Sequence, residues 1–190
     1  INKIMPKILR NYIPNKNIYC IPSKIPSNSG LKTNLNIQNW VSKKNVVKEY
    51  CDLSKILDSM RRRKSEGEIN IMQKSANIAA QAHIHAMRIT KPGKYEYQIE
   101  GEILNQFMQN GARYPAYSSI VAGGHNACTL HYVSNNSVLK DGDLLLIDAG
   151  CELENYASDI TRTYPINGKF TPPQKDIYQI VLSAQKKAIS

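Results

Sequence analysis

Between Ile69 and Phe107 apolar residues recur at intervals of three and four; between Ile120 and Ile166 they alternate or form short runs. The change of period separates a helical stretch from a strand-rich one. Ser65-Glu66-Gly67-Glu68 fits a capping box, with the Ser65 hydroxyl accepting from the Glu68 amide and the Glu68 carboxylate reaching back. Ile69, Met72, Ala76, Ala79, Ala80, His83 and Met87 follow as one buried helical face, and Lys91-Pro92-Gly93 stops it. A second helix over 95–109 turns Ile99, Ile103, Leu104 and Phe107 inward and ends at Asn110-Gly111.

Beyond Gly111, residues 118–124 and 128–133 read as strands. Asp141-Gly142 is a turn, 143–150 an apolar strand through Asp148, and 152–155 a polar turn. Residues 156–166 form the returning strand, which carries Asp159. Thr171-Pro172-Pro173 opens a last helix with Ile177, Ile180, Val181 and Ala184 inward. This order predicts an α+β layer, an antiparallel sheet with helices on one face. Upstream, Pro6, Pro14, Pro22 and Pro26 make 1–45 irregular or a set of short edge strands. Residues 45–60 show helical spacing at Val46, Tyr50, Leu53, Ile56, Leu57 and Met60.

Composition narrows the class. The 190 residues are 42% hydrophobic, enough for one substantial core. No apolar run approaches the ~20 residues that span a membrane, and no signal peptide is visible. Cys20, Cys51, Cys128 and Cys151 form no CxxC pair, which favours reduced thiols and a cytoplasmic location. The net charge of +10 sits upstream: residues 1–64 hold 14 Lys/Arg against 3 Asp/Glu, and the remainder 11 against 12. Nucleic-acid binding would rest on that basic third, but its lysines are scattered among asparagines without a basic helix face. Arg61–Lys64 reads as a solvated run rather than a phosphate patch. The acid-poor start is Lys/Asn-rich, unlike the Arg/Ser-rich transit peptides.

The chemistry centres on Asp148 and Asp159. On antiparallel strands they occupy nearly paired positions, where like charges repel. A bound cation removes that penalty, and carboxylate oxygens suit Mg, Mn or Ca. The spacing alone fits a turn-flanking Asp and an exposed or salt-bridged one better than a metal. His83 and His85, two apart on a helix, face different directions. His125 lies in a glycine-rich loop. His131 alternates with Thr129 and Val133 on the strand reading of 128–133, so it can point into a shared cleft or serve structure. No Walker A or dinucleotide fingerprint is present, and nothing selects a Ser/His/Asp triad.

GARYPAYSSIVAGGHNACTLHY, followed by DGDLLLIDAGCELENYASDITRTYPINGKFTPPQKDIYQIV, closely resembles the Xaa-Pro aminopeptidases (aminopeptidase P) of the pita-bread metallopeptidase family. The match runs from about Met60 to the C-terminus. Methionine aminopeptidases share the two-Asp hairpin without DITRT on its second strand, and prolidases are a close alternative. The resemblance implies the creatinase/aminopeptidase-like fold, first half only. Residues 1–60 would then be a remnant of the family's N-terminal domain, and 61–190 the N-terminal half of the catalytic domain. It implies two divalent metal ions, commonly manganese, with Asp148 chelating one and Asp159 bridging both. It casts His131 as the histidine that approaches the substrate and Tyr117 as a pocket tyrosine near the metals. The implied reaction is hydrolysis of peptides with proline at the second position, by hydroxide held between two cations. The family's other ligands, one His and two Glu, would lie further along. After Asp159 the sequence has neither residue type, only Asp176. The resemblance therefore leads us to expect weak metal binding, negligible activity of these residues alone, and an exposed apolar face favouring self-association. A non-catalytic peptide-binding role is the alternative.

Overall fold

A computed structural model of the chain describes residues 16–20 and 47–190. They fall into two units that divide between Lys64 and Ser65. In the first, β1 (Lys16–Cys20) pairs in parallel with β2 (Val47–Asp52), and α1 spans Ser54–Arg62. Over 47–60 the helical reading therefore holds only from Ser54 on. Val46-Val47 is β-branched, which disfavours helix, and pairing with β1 is a long-range fact that local spacing cannot show. Val46 itself, and most of 1–45, lies outside the described residues. Arg61 and Arg62 close the last turn of α1, where positive charge meets the helix dipole, and the Lys64 ammonium donates to the Arg61 carbonyl at 2.7 Å.

The second unit opens with α2 (Glu66–Ile89). Its capping box is present: the Ser65 amide donates to Glu68 Oε2 at 2.7 Å, and the Glu68 amide to Ser65 Oγ at 3.4 Å. The buried stripe is Ser75, Ala79, Ala82, His83 and Ala86. It is rotated from the expected face, and Ile69, Met72 and Met87 are exposed. Small side chains let α2 approach its neighbours closely, so alanines take the contact while bulkier residues stand aside. α3 (Glu96–Gln109) buries Ile99, Ile103 and Phe107 as its spacing predicts.

Two small antiparallel sheets follow. One orders β3 (Tyr114–Pro115), β6 (Cys151–Leu153) and β7 (Tyr156–Ala157). The other orders β4 (Ile120–Gly123), β5 (Leu144–Asp148) and β8 (Thr161–Pro165). Leu145 and Ile147 of β5 face the core with Ile99, Ile103 and Phe107, whereas Leu144, Leu146 and Asp148 alternate onto the other face. Residues 128–133 are not a strand. A 3₁₀ turn over Gly124–Cys128 leads into an irregular loop, in which His131 has φ 55° and Asn135 φ 46°.

The last helix, α4 (Pro172–Ile189), has no buried residue. Ile177, Ile180 and Val181 are each more than 60% exposed, contrary to the inward face read from their spacing. Gln174 in its first turn donates to the Gly142 carbonyl at 2.9 Å. Between α4 and the Leu144–Thr161–Thr163 face lies an open groove of about 770 Å³. No described helix is long and apolar enough to cross a membrane.

Candidate metal centre

Strands β5 and β8 pair Asp148 with Thr161, so Asp159 lies just before β8 and not on it. The single hairpin expected from the sequence is two hairpins. The chain leaves the β4–β5–β8 sheet at Ala149, makes the β6–β7 turn in the β3–β6–β7 sheet, and returns at Ile160. Glu154 and Asn155, with φ 50° and 69°, form its two-residue turn. The crossing is tight. A Cβ on Gly150 would stand 1.8 Å from the Ser158 carbonyl oxygen, so only glycine fits. Ser158 donates its amide to the Cys151 carbonyl (2.9 Å), and Ala149 its amide to the Ile160 carbonyl (3.1 Å).

This double crossing brings the two aspartates together. The Tyr117 hydroxyl lies 2.5 Å from Asp148 Oδ1 and 2.9 Å from Asp159 Oδ1. Burial, and then acceptance by both carboxylates, pushes the Tyr117 phenol far above its ordinary range. One hydroxyl has one proton for two anionic oxygens, so it satisfies only one of them fully at any moment. A divalent cation would satisfy both, and an all-oxygen donor set suits hard cations. The residues thus fit a metal, although among the described residues no three His, Cys, Asp or Glu side chains gather into a complete site.

His83 supports this strand end from below. Buried on α2, its Nε2–H donates to the Ala149 carbonyl at 3.0 Å, one residue past Asp148. Burial holds its pKa below 6.5, and Nδ1 has no partner among the described residues. The helical spacing marked His83 as inward-facing, but its contact across the fold carries no local signal. His85 is half-buried and pairs with Glu102 at 3.2 Å. His125 is exposed on the 3₁₀ turn. His131 is exposed on the loop, and no hydrogen bond links it to Tyr117, Asp148 or Asp159. Of the four site residues named from sequence, the hydrogen bonds join three.

Residues 70–190 match the model of metallopeptidase family M24. The chain belongs to that family. It is 47% identical to the Xaa-Pro aminopeptidase of Haemophilus influenzae, over 98% of this chain and 41% of that protein. Proline aminopeptidase P II from Yersinia pestis superposes with a TM-score of 0.82 at 42% identity, covering 98% of this chain and 43% of that one. Zinc-substituted Escherichia coli aminopeptidase P, in complex with product, gives 0.78 at 41% identity, over 90% and 40%. The chain thus spans about two fifths of the length of these relatives. Its α+β architecture is that of the pita-bread aminopeptidases over the shared stretch.

Proposed function

We propose that this chain is part of a proline-specific metalloaminopeptidase, which releases the N-terminal residue from peptides with proline in second position. The observation that carries the reading is the convergence of Asp148 and Asp159 on one hydroxyl. They do so on the sheet face turned from the core, in an M24 chain with relatives named for this activity. On this reading Asp148 and Asp159 would be among the residues that hold two divalent ions, manganese by preference. When bound, these ions supply Lewis acidity and acidify water. Tyr117 lines the pocket beside them. His131 approaches the substrate and donates to the oxygen on which charge builds. Residues 1–60 then belong to a separate N-terminal domain and 61–190 to the first half of the catalytic one, in a cytoplasmic protein.

The test is hydrolysis of a Xaa-Pro tripeptide by the complete gene product with manganese. Asp148→Asn is expected to lower kcat/KM by about a thousandfold or more, as for loss of a group acting on the reacting centre. Activity retained by that variant, or equal cleavage of peptides lacking proline, would overturn the reading; peptide binding without turnover would favour the non-catalytic role. Residues 1–190 alone carry two of the five implied ligands and are expected to show turnover at background. With the Ile177–Ile180–Val181 face exposed, that polypeptide self-associates in sedimentation at micromolar concentration.

A further inference from the structure

Among the described residues, the functional reading leaves one buried carboxylate without a role. Glu96, the first residue of α3, is fully buried. Its carboxylate accepts four hydrogen bonds, all from one segment. Gly123 N (2.8 Å) and Asn126 Nδ2 (2.9 Å) donate to Oε1, and the Tyr132 hydroxyl (2.8 Å) and Ser137 N (3.0 Å) to Oε2. Its own amide donates to the Ser137 carbonyl at 3.0 Å. Burying a carboxylate is unfavourable unless its oxygens are filled. Here one side chain fills them with the start, the 3₁₀ turn, the tip and the return of the loop that carries His131.

The tip has little else to hold it. His131 sits in the left-handed region at φ 55°, which persists in a non-glycine residue only when its surroundings impose it. No described residue hydrogen-bonds its imidazole. Leu130 beside it is 86% exposed and buries almost nothing. Among the described residues, the hydrogen bonds of 130–134 all run through the Tyr132 hydroxyl, to Glu96, to Asn136 (3.4 Å) and from Asn126 (3.1 Å). A second clamp, buried Asn135, fixes the base of the loop: Oδ1 accepts from Val121 N at 2.9 Å, and Nδ2 donates to the Ser119 carbonyl at 2.8 Å. That clamp stands four residues from His131, whereas Tyr132 is its neighbour.

We propose that Glu96 is a positioning residue that sets, through Tyr132, where His131 stands. The inference rests on the role given to His131 under the proposed function. Glu96→Gln keeps the shape but turns a donor toward the donors; Tyr132→Phe removes a single hydroxyl. Both are made in the complete gene product, with His131 intact and with His131→Ala. The readouts are hydrogen exchange over 123–138, kcat and KM on a Xaa-Pro tripeptide with manganese, and melting temperature as the folding control. In both variants exchange at 129–134 rises about tenfold or more while β5 is unchanged. In the His131 background kcat falls about tenfold with KM nearly constant; in the His131→Ala background the further fall is under about twofold. An equal fall in both backgrounds, or unchanged exchange at 129–134, overturns the positioning role. If the unsubstituted protein lacks turnover, or His131→Ala does not slow it, the functional reading has failed separately and the exchange result alone decides on Glu96. If Glu96→Gln does not fold, Tyr132→Phe carries the same outcomes.

Discussion

Two segments bring candidate chemistry to this unit, and they are held by opposite means. Residues 148–160, with Asp148 at their start and Asp159 near their end, are held by backbone: strand pairing on either side and direct amide–carbonyl bonds across the crossing. Residues 124–137, with His131 at the tip, form no strand and hang on the side chains of Glu96, Tyr132 and Asn135. A backbone-held site fails when two chains cannot approach. A side-chain-held loop fails when one acceptor is lost, and then only locally.

The largest expected effect lies at the crossing. Gly150→Ala places a Cβ 1.8 Å from the Ser158 carbonyl oxygen, and backbone stands on both sides of that clash. We expect a loss of about 4 kcal/mol or more in chemical denaturation, in the range reserved for severe overpacking or strain. A variant within about 1 kcal/mol of the parent would mean the crossing is not tight in solution. Ile147→Ala comes next. Ile147 is fully buried one residue before Asp148. Its truncation is expected to cost about 3 kcal/mol by lost burial and cavity formation, and to loosen the strand end that carries Asp148.

His83 gives a pH test of the same backbone-held region. Its folded pKa lies below 6.5 because burial penalises the imidazolium. On acidification the unfolded chain therefore takes up this proton first. The stabilisation is complete above about pH 6.5 and declines as pH falls toward the folded value. Melting curves from pH 7.5 to 5.5 should show the parent losing more than His83→Gln over that window. Equal slopes would mean that burial does not hold His83 neutral in the folded protein.

The same contrast explains which features were legible in the sequence. The face of α3 and the alternation in β5 are local and regular, and they were readable. So was the Ser65–Glu68 capping box. The meeting of Asp148 and Asp159 was also readable, but its route was not. A hairpin and a pair of sheet-switching crossings put the two aspartates at the same separation along the chain. Only the close approach at Gly150 tells them apart. On α2, alanines displaced Ile69 and Met72 from the contact, since close packing favours small residues over the most apolar ones. On α4 the periodicity of Ile177, Ile180 and Val181 is real, yet no described residue buries that face. The 128–133 loop read as a strand because Thr129, His131 and Val133 alternate, and alternation says nothing about φ. Glu96 left no trace, since a glutamate at a helix start is ordinarily solvated and favourable there.

The smallest expected effect bears directly on the His131 loop. Leu130→Ala removes a large apolar side chain from its tip, the same kind of change as Ile147→Ala. Leu130 is 86% exposed, so there is almost no buried area to lose and no cavity to leave. Stability should stay within about 0.5 kcal/mol of the parent, as for surface positions generally. Tyr132→Phe, which removes no apolar area, should cost more, about 1–2 kcal/mol, because a buried carboxylate loses one of its donors. The ranking inverts what hydrophobicity predicts for the pair. If denaturant midpoints showed Leu130→Ala to be the costlier change, the loop would be packed by apolar contact, and the distinction between the two segments would fail.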